Sequence, residues 1–255
     1  MPVYFIRSEQ VADGQVLLTP DLAHHLGNVL RLKTGETVRL VDETPKQYMA
    51  RVLTVPPNPM TLQIESETLR PAQDSPRIRM CVALIKRDKM DWIVQKSTEL
   101  GVSRISPVLT ERTVIRPDLN RSKRQVARWE TIAKEAAQQS CRWDLPVIDS
   151  PVDVKTVFAE SSKNTGFRFI FSEYSPPLSA RKAIETRIRT GGDSGMFLVG
   201  PEGGWTDSEL AQAETEGFTS LSLGARILRT ETAAIAALSI LQYEWQHGNH
   251  HTRGG

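Results

Sequence analysis

The character of the sequence changes at Arg70–Pro76, and this change limits the possible folds more than any other feature. The segment is polar and contains two prolines, which interrupt regular secondary structure. Before it, short strand-like runs recur at spacings of about 8–12 residues, a pattern typical of a small barrel or sandwich. After it, apolar strands alternate with helices, a pattern typical of an α/β domain. We therefore expect two domains.

The predicted elements of the first domain are short. One helix follows Asp21, a candidate cap, and repeats apolar residues at Leu22, Leu26, Val29 and Leu30. The predicted strands are Val3–Arg7, Gln15–Thr19, Thr37–Val41, Tyr48–Val55 and Thr61–Leu69.

The second domain begins with Ile78–Ile85, an almost continuous apolar run typical of a strand buried on both faces of a parallel sheet. Further strands are predicted at Arg104–Thr110, Phe167–Ser172, Met196–Val199 and Thr219–Leu223. The predicted helices run from about Met90 to a Gly101 cap, from about Arg121 to Ser140, and over Ser179–Arg189, Asp207–Glu216 and Thr230–Gln246. Together they predict an α/β domain with a mainly parallel sheet.

Charge is unevenly distributed along the 255 residues, although the formal net charge is only +2. Residues 1–75 have a net charge of −2, residues 76–142 of +8 and residues 143–255 of −4. Arg121, Lys123 and Arg124 fall in the predicted first turn of a helix, where cations oppose the helix dipole. The alternative is a solvated helix face. A sequence that keeps these cations although they destabilise the helix favours the interpretation that they bind phosphate.

Two loops that leave predicted strands carry unusual residues. The first, Gly200-Pro201-Glu202-Gly203-Gly204, does not match the dinucleotide or P-loop glycine spacings. The second is Leu223–Ala233, which mixes Arg226 and Arg229 with Ile227 and Leu228 ahead of an apolar helix. A tight strand-to-helix turn would explain the small residues, with Thr206 and Glu209 forming a capping box at one helix and Thr230 capping the other. It would not explain Glu202 between a proline and a glycine, or the exposed apolar pair. Ligands of open α/β sheets bind at such strand ends.

These two loops resemble the C-terminal signature of the RsmE family, bacterial methyltransferases of N3 of a uridine in the decoding region of 16S rRNA. The resemblance extends over essentially the whole chain. Its further motifs are Leu26-Gly27-x-Val29-Leu30-Arg31, Lys89-Met90-Asp91-Trp92, Gln95–Val102, Glu111-Arg112, Trp129 and Glu135–Arg142.

The resemblance implies a SPOUT-type knotted α/β methyltransferase domain at residues 73–247. It also implies a small N-terminal PUA-like RNA-binding β-barrel at residues 1–72. The composition of the Gly-rich end separately predicts a disordered tail at residues 248–255. The knot is a deep trefoil, which periodicity cannot reveal. The family further implies S-adenosylmethionine (SAM) as cofactor, 16S rRNA within the small ribosomal subunit as partner, and a homodimer.

Site residues follow from the same resemblance and from chemistry. SAM would be held by Leu198, Gly200, Gly203, Leu223, Gly224, Ile227 and Leu228. The uracil N3 proton must leave, so a base or a charge-stabilising cation is required. The candidate catalytic residues are Glu202, Arg229 and Arg226. The candidate RNA-binding residues are Arg7, Arg31, Arg112, Arg116, Arg121, Lys123, Arg124 and Arg142.

Other classes are less well supported. The sequence contains no 18-residue apolar stretch or secretory signal, and Cys81 and Cys141 cannot form a disulfide framework, so we expect a cytoplasmic protein without membrane association. His24 and His25 are not at metal-ligand spacing, and no metal is expected. The alternatives are a SPOUT methyltransferase for another RNA position and a non-catalytic RNA-binding assembly factor. A nicotinamide dehydrogenase ranks below them because the dinucleotide fingerprint is absent.

Overall fold

A computed structural model describes residues 2–44, 46–69, 76–161, 166–173, 182–186 and 194–250. For residues 247–250 it describes the backbone alone. The chain divides into two compact units. The first contains residues 1–72 and 135–145, and the second contains residues 73–134 and 146–255. Most of the predicted linker, residues 70–75, lies outside the described residues.

The first unit is built on a six-stranded sheet in the order β1-β4-β5-β6-β3-β2. Only the β1–β4 pair is parallel, and a register shift between Met49 and Ala50 bends the β5–β6 pair. The strands are β1 (Val3–Phe5), β2 (Val11–Ala12), β3 (Gln15–Leu17), β4 (Thr37–Val41), β5 (Lys46–Val52) and β6 (Thr61–Leu69). A buried apolar cluster that includes Val16, Leu26, Leu40 and Leu62 holds this unit together.

The helix of the first unit differs from the prediction. Helix α1 (Pro20–His24) begins one residue before Asp21, so Asp21 lies in the first turn and is not the cap. It continues as a π-helical turn over His25–Val29, in which the Leu30 amide donates to the His25 carbonyl at 2.9 Å. The extra residue per turn rotates the apolar face. Val29 and Leu30 are consequently 59% and 45% exposed, and only Leu26 of that stretch is buried.

The second unit contains a seven-stranded sheet whose recorded pairs are all parallel, as predicted. Its order is β10-β8-β7-β12-β11-β13, and β9 also pairs with β8. The strands are β7 (Arg77–Ala83), β8 (Arg104–Leu109), β9 (Val147–Ile148), β10 (Val152–Asp153), β11 (Phe167–Phe171), β12 (Ser194–Val199) and β13 (Thr219–Leu221). Strands β9 and β10 are additions to the predicted set.

Helices cover both faces of this sheet. In β7, Met80 and Val82 belong to one buried cluster, whereas Cys81 between them belongs to another on the opposite face. The helices are α2 (Arg87–Glu99), α3 (Leu119–Gln139), α4 (Val154–Ser161), α5 (Asp207–Thr215) and α6 (Thr230–His250). Burial on two faces explains why Ile78–Ile85 reads as a continuous apolar run.

Several helix ends match the sequence, and others do not. Gly101 ends α2 with a φ of +85° that favours glycine. Helix α4 was not predicted. Of the predicted helix Ser179–Arg189, only residues 182–186 are described, and these are helical. Helix α6 continues to His250, beyond the predicted start of the tail at residue 248.

Candidate active site

A pocket lies at the carboxyl ends of three neighbouring strands, β12, β11 and β13, where ligands of parallel sheets bind. It is lined by the ends of these strands, by the loops that follow them and by the start of α6. The lining residues are Phe171–Glu173, Val199–Glu202, Gly204, Trp205, Ser222–Gly224, Arg226–Leu228, Thr230 and Ala233. Both loops singled out in the sequence therefore meet in one place.

The loop after β12 is fixed against Trp205. The buried indole donates its Nε1 proton to the Phe171 carbonyl at 3.0 Å. A Cβ atom at Gly200 would lie 3.0 Å from the indole ring, so only glycine fits there without displacement. Gly204 has a φ of +70°, and its amide donates to the Pro201 carbonyl at 2.9 Å. These contacts require the glycines and hold the loop backbone in one conformation.

Helix α5 begins directly after this loop with the predicted capping box. The Glu209 amide donates to Thr206 Oγ1, and Glu209 Oε2 accepts from the Thr206 amide at 2.9 Å. Glu209 is buried, and its other carboxylate oxygen accepts from the Glu111 amide at 2.9 Å. One carboxylate therefore joins the loop after β12 to the loop after β8.

Arg112 also connects these two loops. Its Nη1 atom donates to the carbonyls of Gly203 and Trp205 at 2.6 and 3.2 Å. Hydrogen bonds from a charged donor to backbone carbonyls are among the stronger ones in proteins. Arg112, predicted to bind RNA, thus supports the glycine loop from the side of β8.

The loop after β13 leaves part of the pocket open. Gly224 has a φ of +115°, and a Cβ atom there would have no neighbour within 4 Å. Ile227 lines the pocket, as expected of a cofactor contact, and its side chain is 81% exposed. The Thr230 hydroxyl donates to the Gly200 carbonyl at 3.0 Å, which joins the start of α6 to the first loop. Thr230 lies inside α6 and does not cap it.

A charged group lies beside the pocket. Lys89 of α2 forms an ion pair with Glu202, and its Nζ lies 3.5 Å from Glu231 Oε1. The hydrogen bond from Lys89 lowers the pKa of the Glu202 carboxyl below its ordinary 4.5 and raises the pKa of Lys89 itself. Glu202 is therefore an anion at neutral pH and a weaker base than an ordinary glutamate.

The predicted cofactor and catalytic residues are only partly brought together. Among them, Gly200, Leu223, Gly224, Ile227, Leu228, Glu202 and Arg226 line the pocket. Leu198 is buried in the core of the sheet, and Gly203 faces the Arg112 side chain. Arg229 is exposed and is not among the lining residues.

The predicted RNA-binding residues occupy several positions. Arg121, Lys123 and Arg124 are exposed at the start of α3, where Asp118 Oδ1 accepts from the Arg121 amide at 2.7 Å. Arg116 donates to the Thr110 carbonyl at 2.9 Å. In the first unit, Arg7 and Arg31 are exposed, and Arg142 is mostly buried in an ion pair with Asp144.

Five residues around the pocket were not predicted as functional: Lys89, Glu173, Trp205, Glu209 and Glu231. Glu173 and Trp205 line the pocket, Glu209 braces the loops, and Glu231 has a buried Oε2 atom without a hydrogen-bond partner. The family motifs contained Lys89 and Glu231, and the capping box contained Glu209, but no motif predicted from the sequence contained Trp205 or Glu173.

The pocket fits the predicted cofactor. Its walls combine apolar side chains such as Leu223 and Ile227 with exposed backbone at Gly224, a mixture suited to an adenosine ring and its polar substituents. Burial raises the pKa of the Cys81 thiol to about 11, so this thiol is no nucleophile. Within the described ranges, no three His, Cys, Asp or Glu residues form a metal-binding group.

No helix in the described part of the chain has both the length and the apolar character needed to cross a bilayer.

Comparison with known protein families also divides the chain into two parts. A family model described as an RNA methyltransferase domain matches residues 73–242. A second model, described as an RNA methyltransferase PUA domain, matches residues 18–65. The PUA match ends before the change in sequence character at residues 70–76, and the methyltransferase match begins within it, at residue 73.

The relatives match this chain over nearly the whole length of both proteins. The chain is 29% identical to ribosomal RNA small subunit methyltransferase E of Bacillus subtilis over 96% of this chain and 97% of the relative. It is 31% identical to the protein of the same name from Mesomycoplasma hyopneumoniae, over 92% and 96%. A crystal structure of the Neisseria gonorrhoeae protein of that name, bound to S-adenosyl methionine, has a TM-score of 0.82 and 31% identity over 96% and 98% of the two chains.

Proposed function

We infer the activity of this chain from its family, because it belongs to the RNA methyltransferases named ribosomal RNA small subunit methyltransferase E. The chain is a SAM-dependent methyltransferase that acts on 16S rRNA of the small ribosomal subunit. The observation that carries this conclusion is the convergence of both glycine loops, Gly200–Gly204 and Leu223–Leu228, in one pocket at the ends of β12, β11 and β13.

We propose that the methylated atom is N3 of a uridine in the decoding region, as the sequence motifs indicate. When bound, SAM supplies an activated methyl group and is left as neutral S-adenosylhomocysteine (SAH). The protein has to bring N3 into line with that group and remove the N3 proton, so that the nitrogen electron pair can form the new N–C bond.

The cofactor would be held by Gly200, Leu223, Gly224, Ile227 and Leu228, all of which line the pocket. Gly203 would act indirectly, through the loop that Arg112 supports. Leu198 would contribute by shaping the buried end of β12.

Glu202, Arg226 and Arg229 remain the proposed catalytic residues. Glu202 and Arg226 line the pocket, and Arg229 lies in the same loop as Arg226. Because Lys89 lowers the pKa of Glu202, we assign Glu202 to positioning the uracil or relaying its proton. Arg226 and Arg229 would stabilise negative charge on the uracil carbonyl oxygens.

We propose that the domains extend over residues 1–72 and 73–247, that the first is a PUA-like barrel, and that the second contains a trefoil knot. The knot is supported by the path of the chain at the end of the sheet. The edge strand β13 is followed by α6, which returns to pack near the central strands β7 and β12. An experimental structure that traces residues 172–230 tests this chain path.

We propose a homodimer in the cytoplasm. Helices α2 and α6 pack against each other, and both expose large apolar side chains, among them Trp92 and Ile240. Exposed apolar patches of this kind mark interaction surfaces. Light scattering during size-exclusion chromatography should give about twice the mass of one chain, and Trp92→Glu with Ile240→Glu should give one chain. An unchanged mass in this variant contradicts this interface.

The experiment that tests the function is mass mapping of 16S rRNA from a strain that lacks this protein. We expect one uridine to lose a methyl group and to regain it when the wild-type gene is restored. Unchanged methylation in the deletion strain would contradict the assignment. Complementation with Glu202→Gln tests the proposed role of that residue, because a normal rate of methylation excludes Glu202 from the chemistry.

A non-catalytic assembly factor predicts a different result. It would restore ribosome assembly without restoring the methyl group, and calorimetry would detect no SAM binding to the purified chain. Binding of SAM together with restored methylation therefore separates the enzyme from the adaptor.

A further inference from the structure

Two carboxylates line the pocket, Glu173 and Glu202. The charge of Glu202 is balanced by Lys89, with which it forms an ion pair. Among the described residues, Glu173 has no ion-pair partner at the pocket wall.

The position of Glu173 is set by the sheet. It follows β11, which lies between β12 and β13, so the carboxylate stands at the middle of the three strand ends that form the pocket. The two loops that would hold the cofactor lie on either side of it.

Gly204 leaves room for this carboxylate. A Cβ atom at Gly204 would lie 3.4 Å from Glu173 Oε1 and 3.9 Å from Arg112 Nη1. Gly204 also has a φ of +70°, a conformation that favours glycine, so the position beside Glu173 carries no side chain. The Arg112 guanidinium is already engaged by the carbonyls of Gly203 and Trp205.

We propose that Glu173 recognises the positive charge of the SAM sulfonium and thereby makes the pocket prefer SAM to SAH. This inference rests on the proposed function, because it concerns the cofactor of that reaction. Transfer of the methyl group leaves the sulfur uncharged, so the attraction to Glu173 disappears and the product is released more easily. Glu173 is thus a specificity-determining residue for the cofactor.

The test is calorimetric binding of SAM and of SAH to the full-length protein at low ionic strength. For Glu173→Gln we expect SAM affinity to fall about fivefold and SAH affinity to change less than about twofold, since one charge pair near a surface contributes modestly. Glu173→Asp, which keeps the charge, should retain most of the preference. Glu214→Gln, a matched change on the exposed face of α5, should alter neither affinity.

Each outcome is decisive. An equal loss of SAM and SAH affinity in Glu173→Gln shows that the side chain supports the pocket without sensing charge, and overturns the proposal. An unchanged SAM affinity overturns it as well. If the wild-type protein binds neither compound, the proposed function fails together with the inference. If wild type binds SAM and only the preference is missing, the function stands and the inference alone fails.

Discussion

Lys89 and Glu202 are 113 positions apart in the chain, and their ion pair sets the charge state of the first glycine loop. The folded state lowers the pKa of Glu202 below its ordinary 4.5, so the pair stabilises the fold above that value. This contribution is lost as the pH falls through the lowered pKa. It is also lost in Glu202→Gln.

We therefore expect the Glu202→Gln variant to unfold at a lower urea concentration than wild type at about pH 7, with the difference shrinking at about pH 4. Both proteins should be measured by urea titration at the two pH values. Glu214→Gln, a change at an exposed carboxylate of α5 that does not line this pocket, serves as control. A difference that is equally large at both pH values contradicts an ionic origin.

Arg112 has two possible roles, which binding measurements can separate. Because it donates to the carbonyls of Gly203 and Trp205, we expect Arg112→Ala to weaken SAM binding by about tenfold, the effect of about 1.4 kcal/mol. Arg121→Ala, at an exposed cation of α3, should leave SAM binding unchanged and weaken rRNA binding. If Arg112→Ala binds SAM normally and rRNA poorly, the loop does not need this support.

At the residue level, sequence reasoning found the two loops because glycine and proline reveal tight turns locally. It did not give Lys89 a role in the site, because nothing in the local sequence of α2 shows which loop its amine reaches. It also did not find Glu173, a single carboxylate after a strand, which becomes meaningful only when β12 and β13 lie on either side of it.

Among the elements, the start of α3 combines a favourable cap with unfavourable charges. The Asp118 side chain accepts from the Arg121 amide, and a negative group at this end also suits the helix dipole. We expect Asp118→Ala to lower the free energy of unfolding by about 1 kcal/mol. Urea titration measures this, with Asp118→Asn, which retains a capping oxygen, as control. Equal losses in both variants contradict the capping role.

The three cations that follow should have the opposite effect. All three are exposed, but α3 begins at Leu119, so only Arg121 lies in its first turn, and Lys123 and Arg124 lie in the second. Because the dipole effect is largest in the first turn, replacing all three by alanine should stabilise the protein by up to about 1 kcal/mol at low ionic strength. Adding salt should reduce this gain. Thermal unfolding in low and high salt measures it, and a loss of stability would show that these side chains support the fold.

The elements missed by the sequence are short. Strands β9 and β10 contain two residues each, and α4 contains eight, which is too few for a period to be recognised. The apolar face predicted for the helix after Thr19 holds at Leu22 and Leu26 but not at Val29 and Leu30, because a π-helical turn changes the spacing. Longer elements such as β7, α3 and α6 were predicted within a few residues of their ends.

For the whole molecule, the net charge of +2 conceals segments of −2, +8 and −4. Part of the +8 is offset by carboxylates of the third segment, since Arg104 pairs with Asp149 and Arg79 with Glu160. The exposed remainder includes the cations at the start of α3. Overall charge therefore says little about the partner, whereas its distribution favours a polyanion.

This distribution predicts that salt affects the two ligands differently. Each phosphate contact releases counterions, so the logarithm of rRNA affinity should fall linearly with the logarithm of salt concentration. If Arg121, Lys123 and Arg124 each contact one phosphate, replacing all three by alanine should reduce this slope by roughly two to three. SAM affinity should fall by no more than about fivefold over the same range, because the one charge attraction proposed for SAM is the single pair with Glu173.

Filter binding of a 16S rRNA fragment at several salt concentrations measures the first slope, and calorimetry with SAM measures the second. The same slope for wild type and the triple variant would show that α3 does not contact the phosphates. A steep salt dependence of SAM binding would contradict the separation of the two sites, because it would make the same cations responsible for both ligands.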